Sequence, residues 1–415
     1  MKNPLPKANT VSSLQNVELA LLVLMAAAIP LWWRAAMLIA YILIVNLVLR
    51  IVVAGRGRKC TLSRNQKASW ITVALFVSVY AVSLLYSENL KEGVTSVTRH
   101  LTLVAMALFF FFSDMSYMDK RRMRFILWAL TLSIAGRFLF FLGRGLYGYF
   151  FLYHDIRRLV VAYFDPMHHG YLSMYILLSL VFLYFEMDRR PRIPYIAAIL
   201  LCMLMHIAYI FFTQARMGAL VLVFFFILAL GHQCFVKHRY VVCCLVFTVT
   251  AAILVLVVQK APPLMTQRFM SVTKFLSADQ TDDSRYYITK ACFNIIESSP
   301  LIGIGAGDRM DEMEKQYTVL EIGDRYTHYP PHNQYLDTLM TVGVPGLVLL
   351  LLLLVLPLVE AFRTKNELSF FFIIIVALCA LSESILERQM GLLFFGLFYG
   401  LLPYWTRNDT PVDSV

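Results

Sequence analysis

The chain alternates long apolar runs with short polar breaks, and the runs dictate its architecture. Apolar stretches fall near residues 17–33, 35–54, 69–86, 100–113, 125–142, 167–186, 194–213, 217–234, 240–258, 343–359, 369–386 and 388–405. About 20 helical residues cross a hydrocarbon layer of roughly 30 Å, and a helix satisfies its own backbone polar groups there. The pattern predicts an all-α, polytopic membrane protein of about 12 transmembrane helices, with a large helical loop between spans 9 and 10. Residues 1–258 then hold spans 1–9, 259–342 form the loop, and 343–415 hold spans 10–12 with a short tail. The first residues are polar and no small-residue cleavage pattern follows the first run, so that run is read as a retained span.

Between the runs, segment 88–99 is too polar to cross and is expected along the interface as an amphipathic lead-in. In the long loop, 284–298 reads as a helix with Asp283 or Ser284 as N-cap, stopped by Pro300 and the glycines after it. A second helix is expected from near Pro331 toward Thr341, since proline suits a first helical turn.

Composition agrees: 59% hydrophobic and 15% charged residues lie far on the apolar side of soluble domains, at roughly 45–50% and 25%. The net charge of +11 has a topological cause that makes nucleic acid an unneeded partner. Lys/Arg clusters at 56–67, 120–124, 189–192, 237–239 and 363–365 fall in every second loop, which places those loops and both termini in the cytoplasm. The 259–340 loop, with eight Lys/Arg against eleven Asp/Glu, then faces outward. The seven cysteines show no metal-type spacing.

The residues able to carry chemistry gather near that outward face. Arg216 ends span 7, where snorkelling to headgroups explains an arginine as well as function does. Arg285 follows Asp282 and Asp283 and fits either a helix-end ion pair or a phosphate contact. Together, two outward arginines on different helices can grip a diphosphate, because a guanidinium matches phosphate oxygens bidentately. His332, between Pro331 and Asn333, is either a surface histidine or a rigidly held base. Glu383, Glu387 and Arg388 lie in the turn between spans 11 and 12, where a local Glu387–Arg388 pair is the simplest reading. His168 and His169 invite a metal, but neighbours on a helix point about 100° apart and make poor joint ligands. The run Gly303-Ile304-Gly305-Ala306-Gly307 has no preceding strand, so it reads as a tight turn back onto the membrane face and not as a dinucleotide loop. A transporter is the alternative of another class, with Arg137 as its mid-span charge.

Thr213-Gln214-Ala215-Arg216, Ser284-Arg285 with Ser299-Pro300 and the glycine turn, and Pro331-His332-Asn333 followed by Gly343-Val344-Pro345-Gly346 together resemble the O-antigen ligase family, which includes O-antigen polymerases and protein O-oligosaccharyltransferases. The resemblance covers mainly the C-terminal half. It implies a GT-C-class glycosyltransferase of the bacterial inner membrane, with its active site facing the periplasm. The donor would be a glycan on undecaprenyl diphosphate and the acceptor the lipid A core of lipopolysaccharide. The implied reaction is inverting and independent of metal or other cofactor. By position, Arg216 and Arg285 would hold the diphosphate and His332 would act on the acceptor hydroxyl, with supporting roles for Asn333, Arg388, Glu387 and His169. Elongation of the lipid-linked glycan, protein glycosylation and, further off, glycan transport stand as alternatives, because these motifs do not read the acceptor.

Overall fold

The computed structural model describes residues 5–54, 62–153, 167–188, 192–213, 216–231, 233–234, 238, 284–323 and 327–406. Among them are thirteen α-helices and no strand. In order they are α1 (Leu5–Leu31), α2 (Trp33–Ala54), α3 (Arg64–Ser83), α4 (Leu90–Phe112), α5 (Lys120–Tyr147), α6 (His169–Asp188), α7 (Ile193–Phe212), α8 (Arg216–Gly231), α9 (Ser284–Ser298), α10 (Arg309–Val319), α11 (Gln334–Arg363), α12 (Glu367–Ala380) and α13 (Gln389–Leu401). Seven helices within the described residues are long and apolar enough to cross a membrane, and α8 and α12 are shorter apolar helices. The chain is a multi-pass membrane protein. Expected span 9, at 240–258, and the loop portion 259–283 lie outside the described residues.

The helix surfaces follow from the solvent. On α2, Ala36, Ala40, Leu43 and Leu47 are buried while Leu38, Val45 and Val52 are exposed, so one apolar face meets protein and another is left for lipid. Helix α1 packs on α2 and α5, α3 on α4 and α11, α4 on α13, and α6 on α12. These contacts enclose one continuous core running from Leu22 to Tyr404. A smaller core joins α9 and α10 to the start of α11 through Ile288, Cys292, Ile295, Met313, Tyr317 and Met340.

The stretch 88–99 differs from its expected place along the interface, because from Leu90 it is the first part of α4. One face of it is sheltered by protein, while Lys91, Glu92, Thr95 and Thr98 stay exposed. Asn89 caps the helix, Gly93, Ser96 and His100 are buried, and the Asp308 carboxylate accepts the backbone N–H groups of Glu88 (2.9 Å) and Asn89 (2.8 Å).

The expected helix after Pro331 begins at Gln334, with the Asn333 side chain accepting from Tyr335 N and Leu336 N. Its continuation into the membrane breaks at Gly343, where φ is 66°. A side chain there would drive a Cβ to 2.2 Å from Leu301 O, so the close approach and the left-handed backbone both require glycine. Pro345 has no N–H to give Thr341 O, and the glycine turn supplies the missing partner. Gly305 N donates to Thr341 O (2.9 Å), Ile304 N donates to Met340 O (2.9 Å), and Val344 N turns to Leu301 O (3.1 Å). Segment 301–305 is therefore a strap across the break that satisfies buried carbonyls which otherwise cost stability.

Candidate active site

The strap leaves no anion cradle. Ala306 N and Gly307 N donate to Ser83 Oγ (3.0 Å) and Ser87 Oγ (3.2 Å), and Asp308 N to Gly305 O (3.3 Å). With its N–H groups spent on protein, the run is structural, in line with its reading as a turn.

His332 follows the two prolines with φ of 51°, a left-handed conformation uncommon for a residue with a Cβ and one that concentrates at functional sites. Its Nδ1 lies 3.1 Å from Glu383 Oε2, and His168 Nδ1 lies 3.3 Å from the same oxygen. The two imidazoles stack with centroids 5.8 Å apart. Glu383 is buried and reaches this point over Gly170, where a Cβ would stand 3.1 Å from the Glu383 Cγ. An ionised carboxylate only accepts, so its bond to His332 places the proton on Nδ1 and leaves Nε2 as the ring's acceptor. Burial lowers the His168 pKa against the pull of Glu383, which favours the neutral imidazole there at neutral pH.

The loop between α12 and α13 is held from three sides. Leu386 N donates to Gln334 Oε1 (2.6 Å), Tyr171 Oη donates to Ser384 O (3.0 Å), and Arg99 Nη1 donates to Glu387 O (3.1 Å). Within it Glu387 turns inward, accepting from Tyr80 Oη at 3.1 Å with His100 Nε2 at 3.6 Å. It does not form the expected local pair with Arg388, because the short loop sends these neighbours in different directions: Glu387 is buried and Arg388 exposed. Burial works against the Glu387 carboxylate, yet His100, Arg309 and Arg99 outweigh it and hold its pKa below the usual range. Arg309 is fixed by the fully buried Asp337, Nη1 to Oδ2 at 2.8 Å. These groups surround a cavity of about 150 Å³ lined by Arg99, Arg309, Glu383, Ser384, Glu387 and Arg388, together with Met310, His328 and Pro330.

Of the sequence candidates, the structure brings His332, Glu387 and Arg388 to one place, with Glu383 joining them. His169 stands beside His168, ring centroids 6.1 Å apart. Asn333 spends its side-chain oxygen on capping α11. Arg285 is exposed on the first turn of α9 and does not line the cavity. Arg216 is the first residue of α8, and its side chain lies outside the described residues. Arg137 is buried and donates to Pro30 O (2.7 Å) and Leu31 O (3.2 Å). It thus caps the end of α1, a structural duty that accounts for the mid-span charge a transporter was expected to need.

Residues 196–351 match the family model described as O-antigen ligase. That stretch of the chain is similar to the O-antigen ligase family. It contains His332 and Arg309, while His168, Glu383 and Glu387 lie outside it. No curated protein matches the chain. An O-antigen ligase domain marks a membrane glycosyltransferase whose substrates are a lipid-linked glycan and an acceptor.

Sequence reasoning passed over Arg99 and Arg309. Arg99 sat in a segment assigned to the interface, and Arg309 only follows the glycine turn; the proximity of both to Glu387 arises from packing. A metal-competent group is also present, because the ligand atoms of His168, His332 and Glu383 lie within 4.8 Å of one another. Two imidazoles and a carboxylate suit a zinc-like ion. The sequence weighed His168 with His169, whereas the structure sets His168 against His332 from a distant loop.

Proposed function

We propose that the chain transfers a glycan from undecaprenyl diphosphate to a hydroxyl of the lipid A core, with His332 as general base and Glu383 holding it. The observation that carries this reading is the 3.1 Å contact between His332 Nδ1 and a buried carboxylate in a chain with an O-antigen ligase domain. A sugar diphosphate already leaves readily, so the enzyme has two tasks: to stabilise charge on the departing phosphate and to take a proton from the attacking hydroxyl. The acceptor oxygen bonds to the anomeric carbon as the bond from that carbon to the diphosphate oxygen breaks. The hydroxyl proton passes to His332 Nε2. Attack opposite the leaving group inverts the anomeric centre. Arg216 and Arg285 are assigned to the diphosphate, and the site is assigned to the periplasmic side of the inner membrane, with both termini in the cytoplasm.

No metal is assigned a role, since Glu383 supplies the proton-orienting partner that the base needs. The test is transfer by purified, reconstituted protein given lipid-linked glycan with and without lipid A core. Glycan on the core is the expected product. A lengthened lipid-linked glycan from donor alone would replace ligation by polymerisation.

A further inference from the structure

The wall of the cavity beside Glu383 carries one charged oxygen with nothing to bond. Glu387 Oε2 is buried and has no hydrogen-bond partner, while the Ser384 hydroxyl interacts with the Asp337 carboxylate and keeps acceptor capacity on its oxygen; each residue is 3% exposed, and both line the cavity. The other Glu387 oxygen is taken by Tyr80. Leaving a buried, charged acceptor unmet is costly, and it is met once a donor enters.

The wall chemistry narrows what enters. Arg99, Arg309 and Arg388 only donate, and Glu383 and Glu387 only accept while ionised. A phosphate would face two carboxylates and a cation three guanidinium groups, whereas a hydroxyl donates to one kind of group and accepts from the other. The volume of about 150 Å³ is below the roughly 300–1,000 Å³ of pockets for drug-sized ligands, which suits one ring. We infer that this cavity is a subsite for a single sugar residue, whose adjacent hydroxyls donate to Glu387 Oε2 and Ser384 Oγ and accept from the arginines. The inference rests on the glycosyl-transfer reading and deepens it, making Glu387 the residue that selects the sugar at the reacting end. The sugar belongs either to the acceptor or to the lipid-linked glycan.

Binding measured without turnover separates these sources. Full-length protein in detergent is titrated with delipidated core oligosaccharide and, separately, with undecaprenyl diphosphate-linked glycan. Glu387→Gln keeps the shape and an oxygen for Tyr80 but turns the free acceptor into a donor. Ser384→Ala removes the second contact with little risk to folding, and melting temperatures check both. Weakening of core binding by about 10- to 150-fold in Glu387→Gln, with a smaller loss in Ser384→Ala and donor binding unchanged, places an acceptor sugar in the cavity. The same loss confined to the donor places a donor sugar there and equally supports the subsite. Unchanged binding of both ligands by folded Ser384→Ala and Glu387→Gln overturns it and leaves a water-filled cavity. His332→Ala serves as the separate check on the catalytic reading, because it should slow transfer by about 10²- to 10⁴-fold while both ligands still bind.

Discussion

Two buried charge clusters in this apolar protein differ in one respect. In the first, Glu18 on α1 pairs with Arg50 on α2, its other oxygen accepts from Tyr117 Oη (2.7 Å) and Ser113 Oγ (3.3 Å), and Arg50 Nη2 donates to Asp114 O (3.1 Å). Both carboxylate oxygens are occupied. In the second, around Glu387 and Glu383, one carboxylate oxygen is met by tyrosine while its twin has no partner beside a cavity that Glu387 lines, and two histidines approach a single Glu383 oxygen. The first cluster is a closed staple between helices. The second carries unspent hydrogen-bonding capacity, which is what a site must keep for a ligand. Burial of charge alone does not tell them apart; completeness of pairing does.

Mutations should separate the two clusters cleanly. The largest effect is expected for His332→Ala, which should lose about 10²- to 10⁴-fold in transfer rate with melting temperature and donor affinity preserved. A folded His332→Gln protein with a normal rate would remove the histidine from catalysis. Glu18→Ala should act in the opposite sense: the unpaired Arg50 should cost about 3–5 kcal/mol of stability, seen as a lowered melting temperature, while the rate per folded molecule holds. Equal loss of rate and stability from both variants would erase the distinction. Arg285→Ala and Arg216→Ala should each reduce transfer by about 10- to 150-fold, and the Lys variants by less, since lysine keeps charge without the planar fork. Full activity in both folded Ala variants would make them interfacial anchors. The smallest effect is expected from chelation. Dialysis against EDTA should leave transfer unchanged, and activity lost to EDTA and restored by zinc would make His168, His332 and Glu383 metal ligands.

The membrane character of the fold was legible because apolar runs of span length have few alternatives, and the helix 284–298 was legible from its breakers at Pro300 and Gly303. The Pro331-His332-Asn333 turn drew attention for sound local reasons, and Asn333 does cap the following helix. What could not be read is pairing across the chain. Glu383 lies 51 positions from His332, and Arg99 reaches Glu387 across 288, so no local spacing announces either contact. Adjacency misled at Glu387-Arg388, where the effective partners come from other elements, whereas the reading of His168 and His169 as poor joint ligands agrees with His168 meeting His332 and Glu383. At 88–99 polarity hid the continuity of the helix: Gly93 and Ser96 face protein and Asp308 receives the backbone of Glu88 and Asn89, while Lys91, Glu92, Thr95 and Thr98 stay exposed.

The lacing of 301–305 to 340–344 has a consequence for how the chain varies. Both ends of the intervening excursion are pinned together at one spot, so α10, the prolines and His332 form a closed cassette hung from a fixed hinge plate. Length or sequence can change at the far side of such a cassette, around Glu321 and Gly323, without displacing the span below it. Change there leaves the lacing of 301–305 to 340–344 untouched.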